Sequence, residues 1–300
     1  MSRILLTGIG GFTGRYLAPL LARSGHEVVG VTAHNDSNIS TDFESYVCNV
    51  TDFDSISALM HKINPTKIIH LAGLSFVGHN NISDFYINNI IGTRNILQSA
   101  TISCNHMEHI IFASSANVYG NRHVGQLNEQ TSPFPINDYG ISKLAAEHIC
   151  AMFSAKLPIT ITRPFNYTGV AQSIEMLIPK IVAHVRRKAQ FIELGNINVA
   201  RDFSDVRYVA EIYARLIDCE NAVGETVNIC SGRAYSLRDI LELASSIGDH
   251  SPEIRVNQSL VRESEVEALW GSKEFLTDLI GPIDMPQLSE TIQWMMENDA

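Results

Sequence analysis

Residues 3–165 alternate short apolar, β-branched runs with stretches of helical periodicity. This rhythm constrains the fold more than any single residue. "RILLTG" (3–8), "EVVGVT" (27–32), "IIHLAG" (68–73), "HIIFASS" (109–115) and "ITITRPF" (159–165) read as strands. Between them, "TGRYLAPLLARSG", "DFDSISALMHKI", "DFYINNIIGTRNILQSAT" and "YGISKLAAEHICAMF" carry apolar residues at helical spacing. Strands apolar almost throughout need cover on both faces, so the pattern predicts an α/β fold with a doubly wound parallel sheet. After Phe165 the elements become shorter, with "GETVNICSG" (224–232) as one further strand. The chain divides into a sheet domain, 1–165 with 201–232, and a smaller domain, 166–200 with 233–300. Ligands are expected between the two, above the carboxyl ends of the strands.

The first strand runs into "TGIGGFTG" and then a helix. Gly8 permits a tight turn, Gly11 lets the backbone approach a pyrophosphate, and Gly14 lets helix and strand pack closely. The helix N-terminus then offers unpaired amides and the positive end of its dipole to phosphate. The loop therefore predicts a dinucleotide-binding Rossmann fold. Thr32 stands at the end of the second strand, where a carboxylate would hold the ribose 2′-hydroxyl of NAD. Without that carboxylate a 2′-phosphate is not repelled, and Arg15 and His34 stand nearby in sequence. The expectation is NADP(H), with NAD(H) tolerated. Asn49, in "CNVTD", is expected at the adenine.

"DYGISKLAAEH" sets Tyr139 and Lys143 one helical turn apart on one face. A phenol near pKa 10 is a poor proton carrier at neutral pH, and a neighbouring ammonium would lower that value. "SSANVYG" ends a strand and delivers Ser115 to the same cleft, where its hydroxyl can hold a substrate carbonyl or alcohol. Lys143 can also reach a nicotinamide ribose. Together the three suit hydride transfer coupled to proton transfer.

The ordered set "TGIGGFTG", "HLAG", "NIIGTRNIL", "SSANVYG", "YGISK", "RPFN" and "RDFSDV" resembles the extended short-chain dehydrogenase/reductases that act on nucleotide sugars, the NAD-dependent epimerase/dehydratase family. The resemblance spans nearly the whole chain. It implies Ser115, Tyr139 and Lys143 as the catalytic triad, and Gly8, Gly11, Phe12, Gly14, Thr32, Asn49, Val50, Leu71 and Ala72 along the dinucleotide. It further implies Asn89 as a buried amide that fixes a helix kink, Asn166 against the sugar diphosphate and Arg201 on its phosphates. Ser75 and Phe76 are expected to border the sugar, and Lys180 and Asn196 to meet the nucleotide. The proline often found before the family's tyrosine is missing from "DYG".

Ala116 and Asn117 follow Ser115 where the family's 4,6-dehydratases carry an acidic residue. Neither can act as a general acid or base, which argues against dehydration. "VRESEVEALWG" (261–271) resembles a stretch of the GDP-mannose 4,6-dehydratases and the GDP-4-keto-6-deoxy-mannose reductases. It implies Arg262 at the diphosphate and Glu265 at the ribose or guanine, although Glu263 replaces a proline and Ser272 a common aspartate. The implied activity is reduction of a nucleotide-linked 4-keto-6-deoxy sugar at C4, GDP-4-keto-6-deoxy-D-mannose to GDP-D-rhamnose. The alternatives are a 4-epimerase on the same fold and a dinucleotide-binding sensor without turnover.

The remaining composition narrows the partners. A formal charge of −10 disfavours nucleic acid and anionic membranes. No apolar run approaches the roughly 18 residues of a membrane span, and the N-terminal apolar run reads as a strand rather than a signal peptide. The five scattered cysteines and the unclustered histidines point to free thiols in a reducing cytoplasm, with no disulfide framework and no metal site. The surplus of apolar residues on the helices near 83–101 and 139–154 points to a homodimer built on a four-helix bundle.

Overall fold

The computed structural model describes residues 1–34, 42–75, 81–104, 106–258 and 266–298. The first half runs β1 (Arg3–Thr7), α1 (Phe12–Arg23), β2 (Glu27–Thr32), β3 (Glu44–Val47), α2 (Phe53–Ile63), β4 (Lys67–His70), α3 (Ile82–Tyr86), α4 (Gly92–Ser103), β5 (His109–Ala113), β6 (Gly125–Leu127), α5 (Asp138–Phe153) and β7 (Ile159–Pro164). The second half runs β8 (Asn166–Thr168), α6 (Leu177–Arg186), β9 (Phe191–Leu194), β10 (Ala200–Asp205), α7 (Val206–Leu216), β11 (Thr226–Ile229), β12 (Ala234–Ser236), α8 (Leu237–Gly248), β13 (Glu253–Val256), β14 (Ala268–Gly271), α9 (Glu274–Ile280) and α10 (Leu288–Glu297).

Seven strands form the main sheet in the order β11-β7-β5-β4-β1-β2-β3, and every pairing along it is parallel. The Rossmann architecture expected from the sequence is present. Ile4, Leu5 and Leu6 of β1 are fully buried, as are Ile68 and Ile69 of β4 and Ile110 and Ile111 of β5. Strands this apolar have no solvent face, so helices must lie on both sides. One side buries α1 and α7 in a core containing Leu17, Leu21, Ile212 and Leu216. The other buries α2, α4 and α5 through Ile56, Met60, Ile96 and Ala146.

The chain leaves β1 toward β2 and β3, then returns to the opposite side of β1 as β4. This reversal opens a crevice at the carboxyl ends of β1 and β4, the place where doubly wound sheets bind ligands. Register aligns the ends: Thr7 pairs with Val31 on one side and His70 on the other, and His70 pairs with Phe112.

A second sheet, β12-β10-β14-β6 with β8 beside β10, overhangs these ends. Behind it α6, α8 and α10 enclose a separate core of Ile181, Val185, Ile240 and Ile292. Two elements fall differently from the division drawn above. β10 belongs to this second sheet, although 201–232 was assigned to the sheet domain. Helix α9 packs Leu276 into the α1–α7 core, although it lies in the 233–300 segment.

The helix expected near 83–101 runs continuously over 82–103, with one stretch of different pitch inside it. Between α3 and α4, residues Ile87–Ile91 form a π-helical turn that brings Asn89 inside, where it is 1% exposed. Its Oδ1 accepts from Leu74 N at 2.9 Å, and its Nδ2 donates to Leu74 O at 3.2 Å and to Ser142 Oγ at 2.9 Å. The widened turn thereby gains three polar contacts for a buried amide, and the loop after β4 is clamped to α5. The buried amide implied by the resemblance sits in this π-helical turn.

Candidate active site

Gly8 has φ +76°, a conformation that disfavours any side chain. A Cβ there would meet Ala72 N at 3.0 Å. A Cβ on Gly14 would strike Gly8 O, and would approach Ile9 O to 2.6 Å, so loop and helix touch backbone to backbone. Gly11 opens α1 with no side-chain cap, and its own backbone is exposed. The helix end therefore keeps amides available for an anion. Leu71 N bonds Thr7 O at 3.2 Å and Ala72 N bonds Thr7 Oγ1 at 3.1 Å, which draws the loop after β4 alongside Gly8. These features fit a dinucleotide pyrophosphate.

The adenosine side is less built. Thr32 Oγ1 donates to His34 O at 3.1 Å. Asn49 is exposed and its Oδ1 accepts from Thr51 N at 3.0 Å, an Asx-turn. Val50 is buried and its carbonyl accepts from Asn95 at 3.0 Å. Arg15 Nε donates to Gly10 O at 2.7 Å, bracing the glycine loop.

A buried polar chain, which sequence reasoning missed, runs beneath this floor. The Thr93 hydroxyl donates to Asn89 O at 2.6 Å, so its oxygen accepts from His70 Nε2 at 3.2 Å. His70 Nδ1 is then left to accept from Thr7 Oγ1 at 2.7 Å. Burial, with the Lys143 charge adding to it, holds the imidazole near pKa 3, so His70 is neutral. The histidine of "HLAG" was the available signal.

The triad assembles from three elements. Ser115 follows β5, is 5% exposed and opens a short 3₁₀ turn, accepting from Asn117 N at 3.2 Å. Tyr139 and Lys143 share the buried face of α5, whose first turn is capped by Asn137 accepting from Gly140 N at 2.7 Å. Ser115 stands close enough to Tyr139 to draw the phenol's pKa down. Lys143 Nζ donates to Ala113 O at 2.7 Å and lies 5.2 Å from the centre of the Phe112 ring. Behind them, Tyr167 stacks on Phe12 with centroids 5.8 Å apart and bonds Thr13 at 2.8 Å. This tyrosine of "RPFNYTG" was also missed.

One expectation is corrected. Lys143 was expected to acidify Tyr139, yet burial pushes the phenol up to about 12, with neighbouring Ser115 opposing the rise. The ammonium points at the Ala113 carbonyl and is not among the groups that shift the phenol. Burial lowers Lys143 itself to about 8, against the pull of Cys150 and Glu147. The pair thus comprises a neutral phenol and an ammonium near its titration point.

The remaining residues scatter. Asn166 is exposed, and its Nδ2 donates to Asp202 O at 3.1 Å. Arg201 Nη1 donates to Ala200 O at 2.8 Å and Val266 O at 2.9 Å, so Asn166 and Arg201 share the β8–β10–β14 seam above the strand ends. Lys180 donates to Glu193 O at 2.7 Å, and Asn196 accepts from Asn198 N at 3.0 Å, each engaged locally. Ser75 is exposed just past the Asn89 clamp. Phe76, Arg262 and Glu265 lie outside the described residues.

Residues 4–230 match the model of the NAD dependent epimerase/dehydratase family. The chain belongs to that family. It is 36% identical over 282 residues to GDP-6-deoxy-D-talose 4-dehydrogenase of Aggregatibacter actinomycetemcomitans, covering 93% of this chain and 91% of that protein. It is 30% identical over 290 residues to GDP-6-deoxy-D-mannose reductase of Pseudomonas aeruginosa, with the same coverage of 93% and 91%. The structure of RMD from Pseudomonas aeruginosa complexed with NADPH superposes with a TM-score of 0.84 at 27% identity, covering 99% of this chain and 98% of the other. The chain is thus an NAD(P)-dependent, nucleotide-sugar-modifying oxidoreductase.

Tyr139→Phe should lower turnover about 100- to 10,000-fold, the range for losing a general acid, and leave dinucleotide affinity near parental. Because the Lys143 charge is lost as pH rises through about 8, dinucleotide affinity should weaken across that interval in the parent and stay flat in Lys143→Met. Fluorescence titration of NADPH from pH 6.5 to 9.5 checks both. A flat parental profile, or a Tyr139→Phe enzyme at parental turnover, would remove these side chains from the chemistry.

Proposed function

We propose that the chain is a nucleotide-sugar 4-ketoreductase that converts GDP-4-keto-6-deoxy-D-mannose to GDP-D-rhamnose with NADPH, NADH being tolerated. The observation that carries the reading is the neutral phenol of Tyr139, held by burial near 12, on the buried face of α5 with Lys143 and beside Ser115. Reduction of a ketone generates an alkoxide, and a neutral phenol is the group that can protonate it. In this reading the Ser115 and Tyr139 hydroxyls hold the C4 oxygen, and Tyr139 donates its proton there. Lys143 binds the ribose hydroxyls and keeps a positive charge one turn from the phenol. The dinucleotide supplies the hydride when it is bound against Gly8, Gly11, Gly14, Leu71 and Ala72. Water is excluded by Phe85, whose ring lies 6.0 Å from that of Tyr139, and by Tyr167. Ala116 and Asn117 carry no acid or base for dehydration.

Asn166, Arg201 and Arg262 meet the diphosphate in this scheme, Glu265 the ribose or guanine, and Lys180 and Asn196 the nucleotide. The guanine assignment rests on likeness to the two GDP-sugar enzymes. No helix among the described residues is long and apolar enough to cross a membrane, and all five cysteines are free, which supports work in the cytoplasm. We read the molecule as a homodimer. Ile87 and Ile91 beside α4, Ile102 within it, and Ile141 and Met152 on α5 are 43–67% exposed. They follow helical spacing along two packed helices, as a four-helix bundle needs.

A second product is favoured by one observation: identity is higher, 36% against 30%, to the talose enzyme than to the mannose reductase. GDP-6-deoxy-D-talose differs from GDP-D-rhamnose only in the face of C4 that receives hydride. Incubation with GDP-4-keto-6-deoxy-D-mannose and NADPH, followed by NMR of the sugar, should show one NADPH consumed per 6-deoxyhexose formed, with the H3–H4 coupling reporting the C4 configuration. A 4-epimerase would turn over a GDP-hexose with no net NADPH consumption, and a sensor would do neither. Light scattering should give twice the monomer mass; a monomer at micromolar concentration contradicts the bundle.

A further inference from the structure

Tyr139, Lys143 and Glu147 recur every fourth residue on α5, and all three are at most 7% exposed. Glu147 has no role in the scheme above, yet it is the best-tethered side chain on the helix. Arg163, at the end of β7, grips it with a two-pronged fork: Nε to Oε1 at 2.9 Å and Nη2 to Oε2 at 2.6 Å. The Ser114 hydroxyl, next to Ser115 at the end of β5, also donates to Oε1. Arg163 is itself 6% exposed and lies over the Tyr119 ring, 5.0 Å from its centre, and the Tyr119 hydroxyl donates to Asn228 of β11 at 2.7 Å. One carboxylate thus ties the helix bearing Tyr139 and Lys143 to the strand end bearing Ser115.

The same residue lies one helical turn from Lys143, and its charge favours the protonated amine. The other groups around that ammonium carry no negative charge. His70 of β4 is neutral, the Cys150 thiol of α5 is pushed far up by burial, Tyr139 is a neutral phenol, and β5 offers the Ala113 carbonyl and the Phe112 ring. Arg163 is cationic and stands beyond Glu147. Among the described residues, Glu147 is the anion that offsets the cost of a buried ammonium.

We propose that Glu147 is a positioning residue, which fixes α5 in register with Ser115 through Ser114 and Arg163 and keeps Lys143 protonated at working pH. It touches neither substrate nor cofactor. The turnover assay rests on the ketoreductase reading; NADPH binding does not, so the two can fail separately.

Two variants separate its charge from its reach. Glu147→Gln keeps the shape and removes the charge. The pH at which NADPH affinity and turnover fall should move at least one unit lower, so that affinity at pH 8 drops about fivefold or more while affinity at pH 6 stays within about threefold of parental. Glu147→Asp keeps the charge and shortens the tether by one methylene. It should restore the parental pH profile of NADPH affinity while turnover falls at least tenfold at every pH, because the triad is out of register. A residue that merely stabilised the fold would lower both variants equally at all pH values and leave the pH profile of affinity unmoved, and that result overturns the proposal. Should Glu147→Gln fail to fold, Glu147→Asp decides: parental turnover there overturns it. A shifted NADPH profile without turnover on any keto sugar upholds the positioning role and overturns the ketoreductase reading instead.

Discussion

Burial of the reacting pair is the constraint on which the rest of this structure depends. A phenol and an ammonium removed from water each shift toward their neutral forms, and here they do: Tyr139 rises to about 12 and Lys143 falls to about 8. Desolvation outweighs the mutual influence that their spacing on a helix suggests. What remains is an arrangement suited to giving a proton rather than taking one. The surrounding architecture follows from the need to hold two such groups in place, since a buried ammonium without partners would not remain charged. Ala113 O, the Phe112 ring and the Glu147 carboxylate supply that environment.

The Glu147–Arg163 pair is best understood in this light. Buried ion pairs contribute little net stability, because desolvation cancels much of the attraction, yet removing one partner costs about 3–5 kcal/mol. A pair of this kind therefore penalises misregistration more than it stabilises the fold. His70 acts similarly on the cofactor side, where one neutral imidazole with a fixed tautomer joins Thr7 to Thr93 and, through Asn89, to Ser142 on α5. The glycine loop, the π-helical turn and α5 are linked by buried hydrogen bonds rather than by packing alone.

Much of this was legible in the sequence. The strand–helix rhythm gave the doubly wound sheet, and the glycine spacing placed the loop at the first β–α junction, because both signals are local. "YGISK" and "SSANVYG" marked the triad for the same reason. The charge states were not legible: spacing reveals which groups are neighbours on a helix but not how deeply the helix is buried. Glu147 and Arg163 went unnoticed because their pairing joins a helix to a strand 16 residues on, with no periodic mark. The position of β10 in the second sheet depends on partners such as β14, 68 residues away, that no local pattern announces. Lys180 and Asn196, singled out by resemblance, are engaged with their own neighbourhoods.

The central claim, that burial sets the charge of the pair before any ligand arrives, can be measured on the protein alone. In a sample labelled with ¹³C at the lysine ε position, one resonance, absent from Lys143→Arg, should titrate with a midpoint near pH 8. An unperturbed lysine titrates at about 10.4. A Lys143 midpoint at that ordinary value would mean that the ammonium is solvated, and the account of the site given above would be wrong.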